Sequence, residues 1–257
     1  MADLIVFKVQ DNLYAMDIEH IQRITQAKSL TPIPNAHPFI DGMMSHEERI
    51  LKVVNFRKMV GVESYDAQLS TLFASLKGQH KEWVDALNYA VSNKTHFQKT
   101  TNPHECELGK WLDSFTSYDD HVTQILKGLN ENHKLLHNCG GEIVAMQEDN
   151  PEAAQKMADV EVHGYFQKTM GAVDTFMSEF DVVADSLQKL LIYNNGVDTF
   201  AIKVDEIVDI AHIEAENIKE SENTNKVSQF LELQGVIELE ENLINVIKEV
   251  SLPQEME

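Results

Sequence analysis

Three histidines and one cysteine in the middle of this chain have the types and spacing of a metal site. Cys106 opens the run Cys106-Glu107-Leu108-Gly109-Lys110-Trp111, and His133-Lys134-Leu135-Leu136-His137 follows. On a helix of about 3.6 residues per turn, His133 and His137 stand one above the other and can share one ion. Eleven histidines in 257 residues give about half such a pair by chance, so the pair alone specifies nothing. The setting does more. Val122, Ile125, Leu126, Leu129, His133 and Leu136 form one apolar stripe, and Leu69, Leu72, Phe73, Leu76, His80, Trp83, Leu87 and Ala90 form another. A buried imidazole needs a partner. His80, His133, His137 and the Cys106 thiolate together make a tetrahedral nitrogen and sulfur shell, which suits zinc and leaves no position open for a reactive water. An enzyme is therefore not expected. A single cysteine ligand is also the reactive one, because oxidation of its sulfur weakens a zinc bond.

Helices must carry these side chains. The spacing predicts helices over about Tyr65–Ser92, Glu107–Phe115 and Tyr118–Gln147. A fourth starts from Asn150 as N-cap with Pro151 at its first position, and its stripe is Val162, Phe166, Met170, Val173, Met177, Phe180 and Val183. These predict an antiparallel four-helix bundle. Gly109 is expected to let the short helix lie close to the bundle, and Gly140 and Gly141 to mark close packing or a kink. Cys139 falls on a different face from His137 and reads as a small buried thiol. His96, His104 and His121 read as solvent histidines near loops, with His104 able to substitute as a ligand. His163, beside the fourth stripe, reads as a buried, hydrogen-bonded histidine.

The set His80 with Trp83, Cys106-x-Leu-Gly-Lys-Trp111 and His133-x-x-x-His137 resembles the chemoreceptor zinc-binding (CZB) domain over residues 64–188. That resemblance implies zinc binding, and sensing of zinc or oxidants. A hemerythrin-like di-iron carrier would want His-x-x-x-Glu, and no histidine of this region has Glu at that spacing.

The flanks read as β-structure. Residues 3–60 hold the runs Leu4–Val9, Leu13–Met16, Ile21–Thr25 and Ile50–Val54, with turn chemistry at Asp11-Asn12, Pro32, Pro34 and Asp41-Gly42. Residues 189–250 repeat them. At an offset of 186, Ile5-Val6-Phe7 falls on Leu191-Ile192-Tyr193, Tyr14-Ala15-Met16 on Phe200-Ala201-Ile202, Ile21 on Ile207 and Ile24 on Ile210. At an offset of 193, Gly42 falls on Gly235 and Val53-Val54 on Val246-Ile247. The change of offset predicts a longer loop in the polar Glu214–Ser228 stretch.

These flanks, through Phe7–Ile24, Phe39–Gly42, Ile50–Arg57, Phe200–Ile207 and Gly235-Val236, resemble the CheW-like adaptor domain. The resemblance implies a pair of small five-stranded β-barrels and a role joining chemoreceptors to a histidine kinase. Where that family has an arginine supporting this coupling, this chain has Glu47, which reverses the charge and removes the planar donor fork, and Lys52 replaces its proline.

Together the expected fold class is α+β multidomain: residues 1–63 and 189–257 form a CheW-like domain whose midpoint accepts a CZB-like four-helix bundle at 64–188. With 42 acidic against 21 basic residues, neither a nucleic acid nor an anionic membrane surface is an expected partner. No membrane span and no export signal are read in the sequence, and two cysteines are too few for a disulfide framework, so the expected compartment is the cytoplasm. The expected partners are a CheA-like histidine kinase and chemoreceptors, with homodimerisation left open. The alternative to a sensing adaptor is a scaffold with a purely structural zinc.

Overall fold

A computed structural model describes residues 2–27, 30–117, 119–219, 226–239 and 241–253. The chain divides into two compact units, one made of residues 1–65 and 184–257 and the other of residues 66–183.

The first unit is built of strands. In chain order they are β1 (Ala2–Val9), β2 (Asn12–Asp17), β3 (Ile21–Gln26), β4 (Ile40–His46) and β5 (Arg49–Asn55), followed by the short helix α1 (Phe56–Met59). After the helical stretch come β6 (Lys189–Asn194), β7 (Thr199–Val204), β8 (Glu206–Ile213), β9 (Lys226–Ser228), β10 (Leu231–Leu239) and β11 (Asn242–Val250). Two sheets result, in the orders β8-β1-β2-β11-β10-β9 and β3-β6-β7-β5-β4. Applying the sequence repeat turns the first order, without β9, into the second. Each sheet thus takes strands from both stretches of chain. The lone extra strand, β9, makes the first sheet six-stranded. The alternating faces of β1, β6, β7 and β11 supply the shared core, including Ile5, Phe7, Leu191, Tyr193, Phe200, Ile202 and Ile247.

Asp41-Gly42, expected as a turn, instead lies inside β4. Gly42 has a φ of +151° at a register shift, and a Cβ there would stand 2.5 Å from the Thr31 carbonyl oxygen. Its counterpart Gly235 in β10 is placed the same way, with a Cβ 2.4 Å from the Lys219 carbonyl oxygen. Thr31 pairs with Met43, and Lys219 pairs with Val236, each through two backbone hydrogen bonds of 2.8–2.9 Å. The repeat therefore preserves a close backbone approach, not only an apolar pattern. Part of the Glu214–Ser228 loop, residues 220–225, lies outside the described residues.

The second unit is helical. It takes α2 (Tyr65–Asn93) from its second residue, α3 (Glu107–Ser114), α4 (Asp120–Met146), α5 (Pro151–Met157), α6 (His163–Met177) and the first half of α7 (Phe180–Leu187). Tyr118, the expected first residue of α4, lies outside the described residues; Asp119 caps that helix through Val122 N–H at 2.9 Å. The expected fourth helix is interrupted: a π-helical segment at residues 158–162 separates α5 from α6, and a turn at Ser178-Glu179 separates α6 from α7. From Val162 to Phe176 the buried positions keep the ordinary helical period. Val162, Thr169, Val173, Phe176, Phe180 and Val183 are buried, whereas Met170 and Met177 are only half-buried. Phe176 then joins Phe73, Trp111 and Phe180 in an aromatic layer with ring centroids 4.8–5.5 Å apart.

Candidate metal centre

His80, Cys106, His133 and His137 converge in the helical unit, with one ligand atom from each lying within 4.8 Å of all the others. Three elements bring them there. His80 sits on α2, between the aromatic layer through Phe73 and an aliphatic core through Trp83 and Leu87. His133 and His137 lie one turn apart on α4, and neither ring has measurable exposure. Cys106 is the N-cap of α3, where its sulfur accepts a hydrogen bond from Gly109 N–H at 3.3 Å.

Glycine is required beside that cap. A Cβ on Gly109 would stand 1.7 Å from the Pro103 carbonyl oxygen, so the loop and the first turn of α3 close on each other only without one. Gly140 does the same for α4 against α2: a Cβ there would meet Trp83 at 2.3 Å. Trp83 in turn faces the His137 ring at 4.8 Å and donates its indole N–H to the Thr100 carbonyl oxygen at 2.8 Å. One side chain thus packs against a candidate ligand and holds the loop that leads to Cys106. The sequence contained a signal for this, since Trp83 is part of the motif and Gly140 stands on the helix facing it.

Three of the four donors are spaced much as a small tetrahedral ion requires. Bonds of about 2.1 Å to nitrogen and about 2.3 Å to sulfur place neighbouring donors about 3.4–3.6 Å apart. His80 Nε2 and His133 Nε2 are 3.2 Å apart, and Cys106 Sγ lies 3.7 Å and 3.2 Å from them. His80 Nδ1 lies 2.8 Å from the Leu76 carbonyl oxygen; a carbonyl only accepts, so Nδ1 carries the proton and Nε2 presents its lone pair. Both ring nitrogens of His137, and Nδ1 of His133, are buried without a hydrogen-bond partner. Buried polar atoms left so are rare, and a shared cation accounts for those that face the centre.

Electrostatics point the same way. Burial lowers the pKa of His133 to about 3, with His137 and His80 adding to the effect, and lowers that of His137 to about 4, with His80 adding to it. Burial also lowers that of His80. Three neutral imidazoles are ready ligands. Burial pushes the Cys106 thiol up, so in the metal-free chain it holds its proton. A divalent ion would supply the charge that removes it.

The remaining histidines and Cys139 stand apart from this cluster. His104 is exposed and pairs with Asp113 at 2.8 Å, and His121 is exposed near Glu179. His163 is exposed and bonded to Gln167 at 2.9 Å, which corrects its expected burial; one residue after the buried Val162, helical rotation carries it off the inward face. Cys139 is buried, and burial raises its pKa to about 11.

Comparison with known proteins finds two family matches, which overlap at residues 80–83. Residues 3–83 match the CheW-like domain and residues 80–144 match the chemoreceptor zinc-binding domain. A chemotaxis protein CheW from Thermotoga maritima is 29% identical over 66 residues, 26% of this chain and 43% of that protein, so the chain spans less than half the length of this curated relative. Among solved structures, the scaffolding protein TtCheW from Thermoanaerobacter tengcongensis aligns over 96% of this chain and 84% of its own, with 11% identity and a TM-score of 0.45. The regulatory CZB domain of DgcZ aligns over 45% of this chain and 98% of its own, with 17% identity and a TM-score of 0.39.

Proposed function

From a chain in which a CheW-like domain is followed by a chemoreceptor zinc-binding domain, we propose a cytoplasmic chemotaxis signalling adaptor whose docking on receptors and a histidine kinase is set by zinc or oxidants. In this reading residues 64–188 are a four-helix bundle inserted between the two stretches of a CheW-like domain, and His80, Cys106, His133 and His137 are the zinc ligands. The observation that carries it is the convergence of four donor atoms from three separate helical elements within 4.8 Å. No residue here is assigned a catalytic role. Among the described residues no helix is long and apolar enough to cross a membrane, which suits an adaptor working at the inner end of a receptor.

A zinc ion held by these four ligands would supply the positive charge that ties their three helical elements together. The switch belongs to Cys106. Its thiolate can attack a peroxide oxygen; a sulfur–oxygen bond forms, the oxygen–oxygen bond breaks, and hydroxide leaves a sulfenic acid on the sulfur. A sulfenic sulfur is a poorer donor. Because Cys106 is also the cap of α3, its loss from the centre removes the hydrogen bond to Gly109 N–H and loosens the first turn of that helix.

A structural zinc without sensing is the second reading, favoured by the closure of the shell with protein donors alone. Retention of a chemotaxis histidine kinase on the immobilised chain separates them. The sensing adaptor retains it to different extents with zinc, with chelator and after mild peroxide; equal retention in all three leaves the structural role.

A further inference from the structure

Asp205, a largely buried carboxylate, is contacted by the chain on both sides of the helical stretch. Asp205, between β7 and β8, receives Arg57 of α1: Nε lies 2.7 Å from Oδ1 and Nη2 lies 2.7 Å from Oδ2. Arg57 is 2% exposed. Its remaining nitrogen, Nη1, donates to the Glu63 carbonyl oxygen at 2.9 Å, two residues before α2 begins, and its guanidinium stacks 4.6 Å from the ring of Tyr65, the first residue of α2. The incoming chain is therefore fixed to Asp205 through one arginine.

The outgoing chain is fixed to the same group. Gln188, directly after α7 and also 2% exposed, donates to Asp205 Oδ1 at 3.0 Å. Gln26 of β3 points its amide nitrogen at the carbonyl oxygens of Asp185, Ser186 and Gln188, at 3.1, 2.7 and 2.7 Å. These are groups that a helix end leaves without internal partners. Lys203 of β7 pairs with Asp185 and with Asp41, and the Lys203 and Lys58 charges outweigh the burial of Asp41 to hold its carboxyl below the usual range. Nothing in the four-ligand centre needs any of these residues.

We propose that Asp205, with Arg57 and Gln188, is the joint through which the state of the metal centre reaches the strand unit. The inference rests on the sensing reading above. Its physical basis is that α2 is one continuous helix from Tyr65 to His80 and beyond, so a ligand and the Arg57-bound end share a rod whose intervening length is about 22 Å. Helix ends that are held by fork-shaped, charge-assisted bonds transmit a shift or a loss of order, where a solvated linker would absorb it. β7 and β8, joined at Asp205, are also the strands that pair with β5, β6 and β1 in the two sheets.

The test is hydrogen exchange on the full chain with saturating zinc and with chelator. In the unaltered protein, zinc is expected to slow exchange of α2 amides around His80, and also of amides 203–206 and 57–65, by about fivefold or more. In Asp205→Asn and in Arg57→Lys, which keeps the charge but not the fork, the α2 response is expected to persist and the response at 203–206 to fall below about twofold. Arg57→Lys stands in should Asp205→Asn fail to fold. An unaltered chain in which α2 responds and 203–206 does not overturns the joint, as do variants that transmit as well as the unaltered chain. Absence of any α2 response would instead sink the metal reading on which the joint depends.

Discussion

Nε2 of His80 lies 3.2 Å from Nε2 of His133, with Cys106 Sγ 3.7 and 3.2 Å from the two. Since His80 keeps its proton on Nδ1, its Nε2 can only accept, and burial disfavours a charged imidazolium at either ring. With His133 protonated on Nδ1, a cation would take the lone pairs of both Nε2 atoms and the sulfur at one point. His133→Ala should therefore reduce bound zinc, read by elemental analysis of the purified chain, from about one per chain to a small fraction of that. Cys106→Ala should retain weaker binding through three histidines, with an affinity loss of about 100-fold or more. Equal metal content in both variants and in the unaltered chain would remove these residues from the ligand set.

Acid should unfold the metal-free helical unit early. His133 and His137 have folded pKa values of about 3 and about 4, below the unfolded value near 6.5. The unfolded chain binds protons first, so stability is fully present above about pH 6.5 and is lost as pH falls from there towards 3. At ~1.4 kcal/mol per pKa unit the two rings together weigh on the order of 6 kcal/mol at pH 4. Denaturant midpoints of the chelated protein should fall steeply between pH 6.5 and 4, and His133→Phe, which keeps a buried ring without a titrating group, should flatten that slope.

Gly140→Ala should destabilise the helical unit although alanine is the better helix former. A helix-interior glycine costs about 1 kcal/mol relative to alanine, yet the new Cβ would stand 2.3 Å from the tip of Trp83. Forcing apart a packed ring costs about 1–3 kcal/mol, and Trp83 abuts His137. Thermal midpoint and zinc affinity should therefore fall together, whereas Gly128→Ala on the same helix, where a Cβ would meet nothing within 4 Å, should raise the midpoint slightly.

The same contrast shows what the sequence could and could not reveal. His80 and His133 were legible because two apolar stripes each enclosed histidine at helical spacing, which also puts His137 on the face of His133, whereas Cys106 was legible only through the run Cys106-x-Leu-Gly-Lys-Trp111. The strand repeat was legible for a similar reason, since alternation at a constant offset preserves the inward face. Periodicity does not choose between neighbouring positions, so Thr169 and Phe176 are buried where Met170 and Met177 were expected, while Val162, Val173 and Phe180 hold their phase. Nor does it report which strands pair: the mixing of both stretches in each sheet is set by packing far apart in the chain. Arg57 and Asp205, 148 residues apart, read in sequence as two ordinary charges and only in space as a buried pair.

Glu47 offers a test of partner choice that stability should not confuse. It lies in the two-residue turn between β4 and β5, where Glu47 and Glu48 have φ of +48° and +62°, and it meets Arg23 of β3 at 3.3 Å. Both side chains are more than half exposed, so the pair is worth at most ~1 kcal/mol. Arginine in the left-handed region is no more strained than glutamate, so Glu47→Arg should leave the thermal midpoint within about 2 °C. If this turn faces a partner, reversing its charge should change kinase or receptor retention severalfold, and Arg23→Glu added to it should restore the local pair with opposite polarity without restoring the original retention. Retention unchanged by Glu47→Arg would place the turn outside the docking surface, and the charge reversal relative to the CheW-like pattern would then carry no consequence for coupling.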